Sequence, residues 1–401
     1  MSVVSSDARL VMAAQAVRAF GYGLTSVLLG VTLEHLKFSG LEVGLVLAAV
    51  VAGTAAASVG IARYGDRIGR RRAYVLLYVV LAATAVVFAF GTSPWLLGVT
   101  ALAGALSTDV VESGPFTSLE QAMLAEELPP ARLASGFGLY NAVAAAGGAV
   151  GALAAGAPSL THAWLTVPAQ RWFLLLGISG VVGMLLALRL TPRVETAGRN
   201  ARPTARLERS RSTVVRLSGL FALDSFGGGF VVQSFVAFWL ARRFGATTGA
   251  IGVVIFAVSL LQTASFLLAP LVARRFGLLT TMVGTHLPSN VLLIALAFAP
   301  NLTAAIALLL ARVAISQMDV PTRQAYVMTL VDPGERVPAA AYTNTARYLV
   351  RPAGPALAGA ISSIALGAPF VVGGSVKVLY DVVLWRWFRR VPIHEARAEV
   401  R

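Results

Sequence analysis

The chemically informative residues of this sequence are the ionisable side chains that interrupt long apolar stretches. A charge at membrane depth is costly unless it is paired or faces water, so each such residue is a functional candidate. The candidates for binding a solute or a proton are Arg18, Asp109, Glu112, Glu120, Asp224, His286, Asp319 and Arg323. Five further ionisable residues lie in apolar stretches, namely Arg312, Arg347, Arg351, Lys377 and Asp381.

Position along the apolar stretches predicts two charge pairs. A helix rises 1.5 Å per residue, which puts Arg18 roughly 12 Å and Glu120 roughly 8 Å from the same membrane face. Asp224 and Arg323 lie roughly 15 and 12 Å from that face. We therefore predict the pairs Arg18–Glu120 and Asp224–Arg323, with the charges exchanged between them. Two interpretations stay open: protonation of the carboxylate releases its arginine for an anionic solute group, or the pairs only hold helices together.

Three other spacings suggest local pairs. Asp109 and Glu112 are three residues apart and share a helical face, which makes them a second candidate proton site or a water-facing pair. Asp319 and Arg323 are four residues apart, and so are Lys377 and Asp381. For both of these acid–base pairs we expect the partners to satisfy each other within one helix.

Histidine and cysteine give no sign of a metal or a cofactor. His286 is able to titrate near neutral pH, but no carboxylate lies close to it in sequence, so we expect a hydrogen-bonded structural histidine rather than a proton carrier. The four histidines are scattered and cysteine is absent. Neither pattern supplies metal-ligand spacing, so no metal and no cofactor is predicted.

Composition excludes a soluble fold and a nucleic-acid partner. The chain has 401 residues, of which 57% are hydrophobic and 13% are charged, whereas a soluble domain carries about a quarter charged residues. The net charge is +15, yet the basic residues lie in the gaps between apolar stretches and not on one soluble face. The lipid bilayer is therefore the expected surroundings of this chain.

Twelve apolar runs are long enough to cross a bilayer, which takes about 20 residues. They are residues 10–36, 41–62, 73–90, 95–125, 133–156, 172–190, 214–240, 248–273, 278–299, 302–331, 338–366 and 370–388. An arginine-rich segment divides them into two sets of six. We predict a first six-helix bundle over residues 1–190, a cytoplasmic linker over 191–213, a second bundle over 214–390 and a cytoplasmic tail over 391–401.

The distribution of arginine predicts the topology. The first inter-run loop, the central segment and the carboxyl-terminal tail are rich in arginine, whereas the alternate loops hold few basic residues. By the positive-inside bias, both termini are expected in the cytoplasm of a cell whose plasma (inner) membrane holds the chain.

The two sets of runs resemble each other. Residues 16–23 match residues 222–229 at an offset of 206, sharing a Phe-Gly-x-Gly sequence, and Glu120-Gln121-Ala122 matches Arg323-Gln324-Ala325. Matches in register at several places indicate an internal duplication, which is typical of transporter folds.

The charged segment 63–72 carries a family resemblance. It resembles the loop Gly-x-x-x-Asp-Arg-x-Gly-Arg-Lys/Arg of the major facilitator superfamily, with matches at Asp66, Arg67, Gly69, Arg70 and Arg71 and a departure at Ala62. A weaker second copy, without the acidic residue, lies at residues 273–277. The resemblance implies an all-α membrane fold of 12 transmembrane helices in two pseudo-symmetric six-helix bundles. It also implies that the segment is a gating loop, a latch that stabilises one access state.

The same resemblance suggests a function. It implies a secondary transporter, not an enzyme, that moves a small solute by alternating access, and it points to a multidrug-efflux-like branch with incomplete antiporter motifs. The fifth run lacks the expected Gly-Pro, which is found instead at Gly354-Pro355. A nucleotide-binding Gly-x-x-x-x-Gly-Lys-Ser/Thr loop is absent from the sequence. We expect proton-coupled efflux by a monomer; a solute importer or uniporter and a non-transporting membrane sensor are the alternatives.

Overall fold

The computed structural model describes residues 5–107, 114–127, 133–157, 168–192, 194, 207–332 and 335–391. The regular elements in these ranges are helices. In chain order they are α1 (Ser6–His35), α2 (Gly40–Ile68), α3 (Arg70–Phe90), α4 (Pro94–Ala101), α5 (Pro115–Glu127), α6 (Leu133–Ala154), α7 (Phe173–Leu188), α8 (Arg211–Gly229), α9 (Gln233–Phe244), α10 (Thr248–Phe276), α11 (Leu278–Leu296), α12 (Leu302–Ser316), α13 (Asp319–Leu330), α14 (Arg336–Val350), α15 (Ala353–Ser362) and α16 (Ala368–Phe388).

Most of these helices are membrane spans. Within the described ranges, nine segments are long and apolar enough to cross a bilayer: Ser6–His35, Gly40–Gly65, Arg70–Phe90, Ala169–Leu188, Arg211–Phe244, Thr248–Phe276, Leu278–Leu296, Leu302–Leu330 and Ala368–Phe388. The other three predicted spans correspond to α4 with α5, to α6, whose apolar part is Leu139–Ala154, and to α14 with α15. The last of these spans is interrupted before α15 at Pro352, a residue that cannot donate a backbone hydrogen bond. The predicted all-helical, multi-span fold is confirmed.

The chain forms two compact units. Met1–Ala201 together with Val232–Leu260 form the first unit, and Arg202–Val231 together with Leu261–Arg401 form the second. The domain boundaries predicted from the sequence stay a prediction.

A glycine contact recurs in each unit at the same place in the repeat. In the first unit, a Cβ added to Gly23 would lie 2.8 Å from the Cα of Gly148. In the second, a Cβ added to Gly229 would lie 3.0 Å from the Cα of Gly354. Both residues of the second pair lie 206 positions after those of the first. Small residues let membrane helices approach closely, so the duplicated sequence produces a duplicated helix contact.

The two copies of the charged loop share a backbone turn. Gly69 separates α2 from α3 with φ +94°, and Gly277 separates α10 from α11 with φ +83°. Glycine adopts positive φ without the steric cost that other residues meet. The glycine of the resemblance therefore has a structural reason in both copies.

Hydrogen bonds join α3 to the end of α7 and to the short segment that precedes α7. Arg71 donates to the carbonyl of Leu188. At the other end, Arg171 Nη1 donates to the carbonyl of Ala89 at 2.7 Å, and Gln170 Nε2 donates to that of Gly91 at 2.6 Å. This clamp positions α3, which supplies tyrosines to the polar cluster of the first unit.

Apolar packing fixes the helices that carry the charges of the second unit. Phe221 of α8, Met282 of α11, Tyr326 of α13 and Tyr380 of α16 belong to one cluster of buried side chains, each no more than 2% exposed. Four helices are therefore held at fixed spacing around the charged residues described below.

A carboxylate outside the membrane spans binds the backbone of the segment that leads into α8. Glu335 accepts hydrogen bonds from the backbone N–H groups of Glu208, Arg209 and Ser210 at 2.7, 2.9 and 2.8 Å. These three hydrogen bonds lower the pKa of Glu335 to about 2, and the bond from Glu208 makes the largest contribution. The segment before α8 is thereby tied to the residue that precedes α14.

Candidate functional site

The first unit contains a closed polar cluster around Glu120, which we call the Glu120 cluster (Arg18, Tyr74, Glu120 and Tyr140). Arg18 Nε and Tyr74 Oη donate to Glu120 Oε1 at 3.2 and 2.7 Å. Arg18 Nη2 and Tyr140 Oη donate to Glu120 Oε2, each at 2.6 Å. Each carboxylate oxygen thus has two donors, and Glu120 is 0% exposed.

Aromatic rings complete the surroundings of Arg18. Its guanidinium carbon lies 5.1 Å from the ring centres of both Tyr22 and Phe116, within cation–π range. Tyr78 lies 3.1 Å from Tyr74, oxygen to oxygen, and donates to the carbonyl of Ala14 at 2.9 Å. The cluster therefore balances one cation against one anion, with the acceptor oxygens of the carboxylate occupied.

The second unit contains a larger cluster around Asp224, which we call the Asp224 cluster (Asp224, His286, Asp319, Arg323, Arg347, Lys377 and Asp381). Lys377 Nζ lies 2.5 Å from Asp224 Oδ1, and Arg323 Nη1 lies 3.1 Å from Asp224 Oδ2. Arg323 also pairs with Asp319 at 2.8 Å. Asp224, Asp319 and Arg323 are at most 4% exposed, so these charges are shielded from water.

His286 lies between two carboxylates of this cluster. Its Nδ1 is 2.8 Å from Asp381 Oδ1, a hydrogen-bond distance, and its Nε2 is 3.7 Å from Asp224 Oδ1, which is too long for one. Asn290 Nδ2 donates to the other oxygen of Asp381 at 2.9 Å. Protonation of His286 would add a positive charge that faces Asp224.

Two arginines reach the cluster without a close partner for every donor. Arg347 Nη2 lies 4.0 Å from Asp224 Oδ2, and the Arg347 side chain is 29% exposed. Arg312 interacts electrostatically with Asp224. The Nε atoms of both arginines are buried and make no hydrogen bond within the described part of the chain.

The structure places most of the residues singled out from the sequence. Arg18 lies against Glu120 and Asp224 against Arg323, which are the two pairings expected, and Asp319 pairs with Arg323 along its own helix. Asp109 and Glu112 lie outside the described residues.

The predicted gating loop is helical over most of its length, which corrects its interpretation as a loop. Arg67 lies exposed in the last turn of α2, Gly69 makes the turn between the helices, and Arg70 begins α3, because both helices continue beyond the apolar runs. Arg71 binds a carbonyl of α7 as given above. The side chain of Asp66 lies outside the described part of the structure.

One expected ion pair is wrong. Lys377 does not pair with Asp381 along α16: Lys377 binds Asp224 of α8, and Asp381 binds His286 and Asn290 of α11. His286 is hydrogen-bonded, as expected, and its partner is the carboxylate of Asp381. These partners lie on different helices, more than 90 residues away in sequence, so local spacing could not find them.

Sequence reasoning missed the tyrosines and Asn290. Tyr74 and Tyr78 are four residues apart within the apolar run of α3, a spacing that puts two hydroxyls on one helical face. That signal was available. Tyr140 and Asn290 carried none, because single polar residues in apolar runs are common. Within the described residues, no group of three or more His, Asp and Glu side chains is arranged to hold a metal ion.

Comparison with known proteins identifies the family. The sequence pattern of the Major Facilitator Superfamily matches residues 11–355. An uncharacterized membrane protein of Saccharomyces cerevisiae, YJR124C, is 26% identical over 418 residues, covering 95% of this chain and 93% of the yeast protein.

Solved structures share the fold at low identity. The nucleoside transporter NupG superposes with a TM-score of 0.76 at 13% identity, over 96% of this chain and 100% of that one. The D-xylose-proton symporter gives 0.75 at 14% identity, over 97% and 99%. A bacterial homolog to the human lysosomal transporter Spinster gives 0.68 at 16%, over 94% of each chain. The family match covers most of the chain and agrees with the predicted spans and the repeated helix contacts. The chain therefore belongs to the Major Facilitator Superfamily and has the fold of a multi-pass, non-enzymatic membrane transporter.

Proposed function

We propose that this chain is a proton-coupled secondary transporter that moves a small solute by alternating access. The observation that carries the proposal is the position of His286 between Asp381 and Asp224, at 2.8 and 3.7 Å. Histidine is the side chain that ordinarily changes charge between pH 5 and 8. A proton taken up here alters the charge that faces Asp224, the residue on which α8, α13 and α16 converge.

Asp224 is the residue through which a proton on His286 would change the contacts between helices. Its two oxygens are shared by Lys377 of α16 and Arg323 of α13, and Arg347 of α14 lies 4.0 Å away. A positive His286 competes with these cations for the same carboxylate. Weakening one contact and strengthening another changes which helices are held together, and this is the kind of two-state element that coupling requires.

The Glu120 cluster has a different proposed role. Because each oxygen of the Glu120 carboxylate has two donors, the cluster serves as a fixed contact between α1, α3, α5 and α6. The gating loop, Asp66 to Arg71, acts in this proposal as the latch of one access state, as the family resemblance implies.

Export is the proposed direction, in keeping with the efflux-like resemblance of the loop. The proposal also includes a monomer in the plasma (inner) membrane with both termini in the cytoplasm, and bundles over residues 1–190 and 214–390. The second candidate is an importer of the same fold. Its support is the likeness to the D-xylose-proton symporter, whose name describes movement of a solute together with protons.

Proteoliposomes test the proposal directly. Purified protein is reconstituted and challenged with antibiotics, dyes, organic acids and arsenicals while internal pH is recorded. We expect at least one solute to drive a pH change that protein-free liposomes do not show, and an imposed pH gradient to drive its accumulation. A protonophore should abolish that accumulation. The sign of the pH gradient that drives uptake distinguishes export from import.

Three results would count against the proposal. Solute movement that survives the protonophore indicates a uniporter. Counterflow without any pH change indicates transport without proton coupling. Absence of counterflow for every solute supports the non-transporting sensor.

A further inference from the structure

We infer that the Asp224 cluster binds a small organic anion, and that Arg347 and Arg312 are the groups that hold its negative charge. The inference rests on the proposed function only in naming the substrate class of the same site. It is carried by the charge balance of the cluster and by the unmatched donors at its edge.

The charges of the cluster are balanced until Arg312 is counted. The carboxylates of the cluster are Asp224, Asp319 and Asp381, and its permanently charged cations are Arg323, Arg347 and Lys377. Arg312, whose charge interacts with Asp224, adds a positive charge without a further carboxylate among these residues. Arg312 and Arg347 are both partly exposed, and a bound anion would balance the added charge.

The unmatched hydrogen-bonding atoms point to the same ligand. Arg323 and Lys377 already have carboxylate partners at 2.8 and 2.5 Å. Arg347 is 4.0 Å from its nearest carboxylate oxygen, and its Nε, like that of Arg312, is buried without a hydrogen bond within the described residues. Guanidinium groups suit carboxylates because they donate two parallel hydrogen bonds.

Asp319 adds a second recognition element. Its Oδ2 binds Arg323, whereas its Oδ1 is buried and accepts no hydrogen bond from the described part of the chain. A hydroxyl or N–H group on the ligand would satisfy this oxygen. The geometry therefore favours an anion that also carries a donor, such as a hydroxy acid.

The Glu120 cluster provides the internal contrast. It has one cation, one anion and four donors for the two carboxylate oxygens. The single arginine of the Glu120 cluster is already paired with its single carboxylate through two hydrogen bonds. Anion binding is accordingly assigned to the Asp224 cluster.

Binding in detergent tests the inference without relying on transport. The full-length protein, freed of lipid, is titrated with mandelate and with mandelamide, which keeps the shape and the hydroxyl but lacks the charge; chloride and phosphate serve as minimal anions. The readouts are calorimetric binding and the melting temperature. We expect mandelate to bind about tenfold more tightly than mandelamide, a difference of about 1.4 kcal/mol.

Variants locate the site. Arg347→Gln and Arg312→Gln should each weaken mandelate binding about tenfold, and Arg347→Lys should retain part of the affinity. Arg386→Gln, at an exposed position on α16, is the matched control and should bind like wild type. Because Arg347→Gln brings the cluster closer to neutrality, we expect the variant to fold, and its melting temperature without ligand checks this.

The possible outcomes are distinct. Equal or tighter binding of mandelamide overturns the inference, and so does anion binding that Arg347→Gln and Arg312→Gln leave unchanged. If no anion stabilises the wild type up to about 50 mM, any binding is weaker than about 2 kcal/mol and the inference is overturned. Anion binding without any transport would leave this inference standing and remove the proposed function.

Discussion

The Glu120 and Asp224 clusters occupy related places in an internal repeat but differ in how fully their charges are matched. Arg18 and Asp224 lie 206 residues apart in equivalent helices, with opposite charge. In the first cluster a single ion pair is closed by two tyrosines. In the second, Asp224 is shared among cations on several helices, and arginine donors are left over. The comparison teaches that duplication preserved the helix contacts while the polar centres diverged, one toward a fixed contact and the other toward an exchangeable site.

The largest loss of stability is expected from Glu120→Gln. This variant tests whether the Glu120 cluster is a fixed contact between helices. Arg18, 4% exposed, would lose its counter-ion, and removing one partner of a buried ion pair costs about 3–5 kcal/mol. Thermal unfolding of the detergent-purified variant measures the loss. The double variant Arg18→Met with Glu120→Met removes both charges and should recover most of the stability. Wild-type stability in the single variant would contradict the fixed contact.

The next effect concerns what the two units share. Gly23→Ala and Gly229→Ala should each destabilise by about 1–3 kcal/mol, because the added methyl group meets the backbone of the facing helix. Gly219→Ala is the matched control, since no atom lies within 4 Å of the added Cβ and alanine favours the helix. Thermal unfolding measures both losses, and the larger loss is expected in Gly23→Ala, whose added Cβ would overlap the carbonyl oxygen of Gly148. Wild-type stability in either glycine variant would contradict the claim that the repeat preserved one contact.

Some of these contacts can be predicted from the sequence and others cannot. The ion pairs Arg18–Glu120 and Asp224–Arg323 follow from repeat register and helical rise, since a long apolar run fixes the depth of each residue. The glycine contacts were found only in the structure. The depth of a residue does not say which way its side chain faces. Lys377 is therefore found on Asp224 rather than on Asp381, and Tyr74 is found on Glu120, because helix rotation is set by packing between distant segments.

A smaller effect should distinguish the clusters by their response to pH. His286→Gln removes the imidazole of the Asp224 cluster while keeping a polar side chain. If proton coupling passes through this position, the change in transport rate between pH 5 and 8 should become about tenfold smaller in the variant. His35→Gln, at an exposed position, is the control. Initial rates of the solute found in the panel provide the measurement. An unchanged pH profile in His286→Gln would assign proton coupling elsewhere.

The smallest effect is expected from Glu335→Gln, which alters the second unit outside its spans. The folded-state pKa of Glu335, about 2, lies below its usual value of 4.5. Its contribution to stability is therefore complete above about pH 4.5 and is lost as the pH falls toward 2. We expect the variant to melt about 3 °C lower at pH 7, with the gap to wild type closing in acid.

The exposed Glu208→Gln is the control for that change, because only the backbone of Glu208 binds Glu335. A gap that widens below pH 4.5 would contradict the linkage.

Solute-driven proton flux in two matched variants tests the division of roles most directly. Asp224→Asn removes the charge at the centre of the exchangeable cluster, whereas Tyr140→Phe removes one of four hydrogen bonds from the fixed one. Reconstituted with the solute identified in the panel, Asp224→Asn should lose the solute-driven pH change and Tyr140→Phe should keep it. Full coupling in Asp224→Asn, or its loss in Tyr140→Phe alone, would contradict the account.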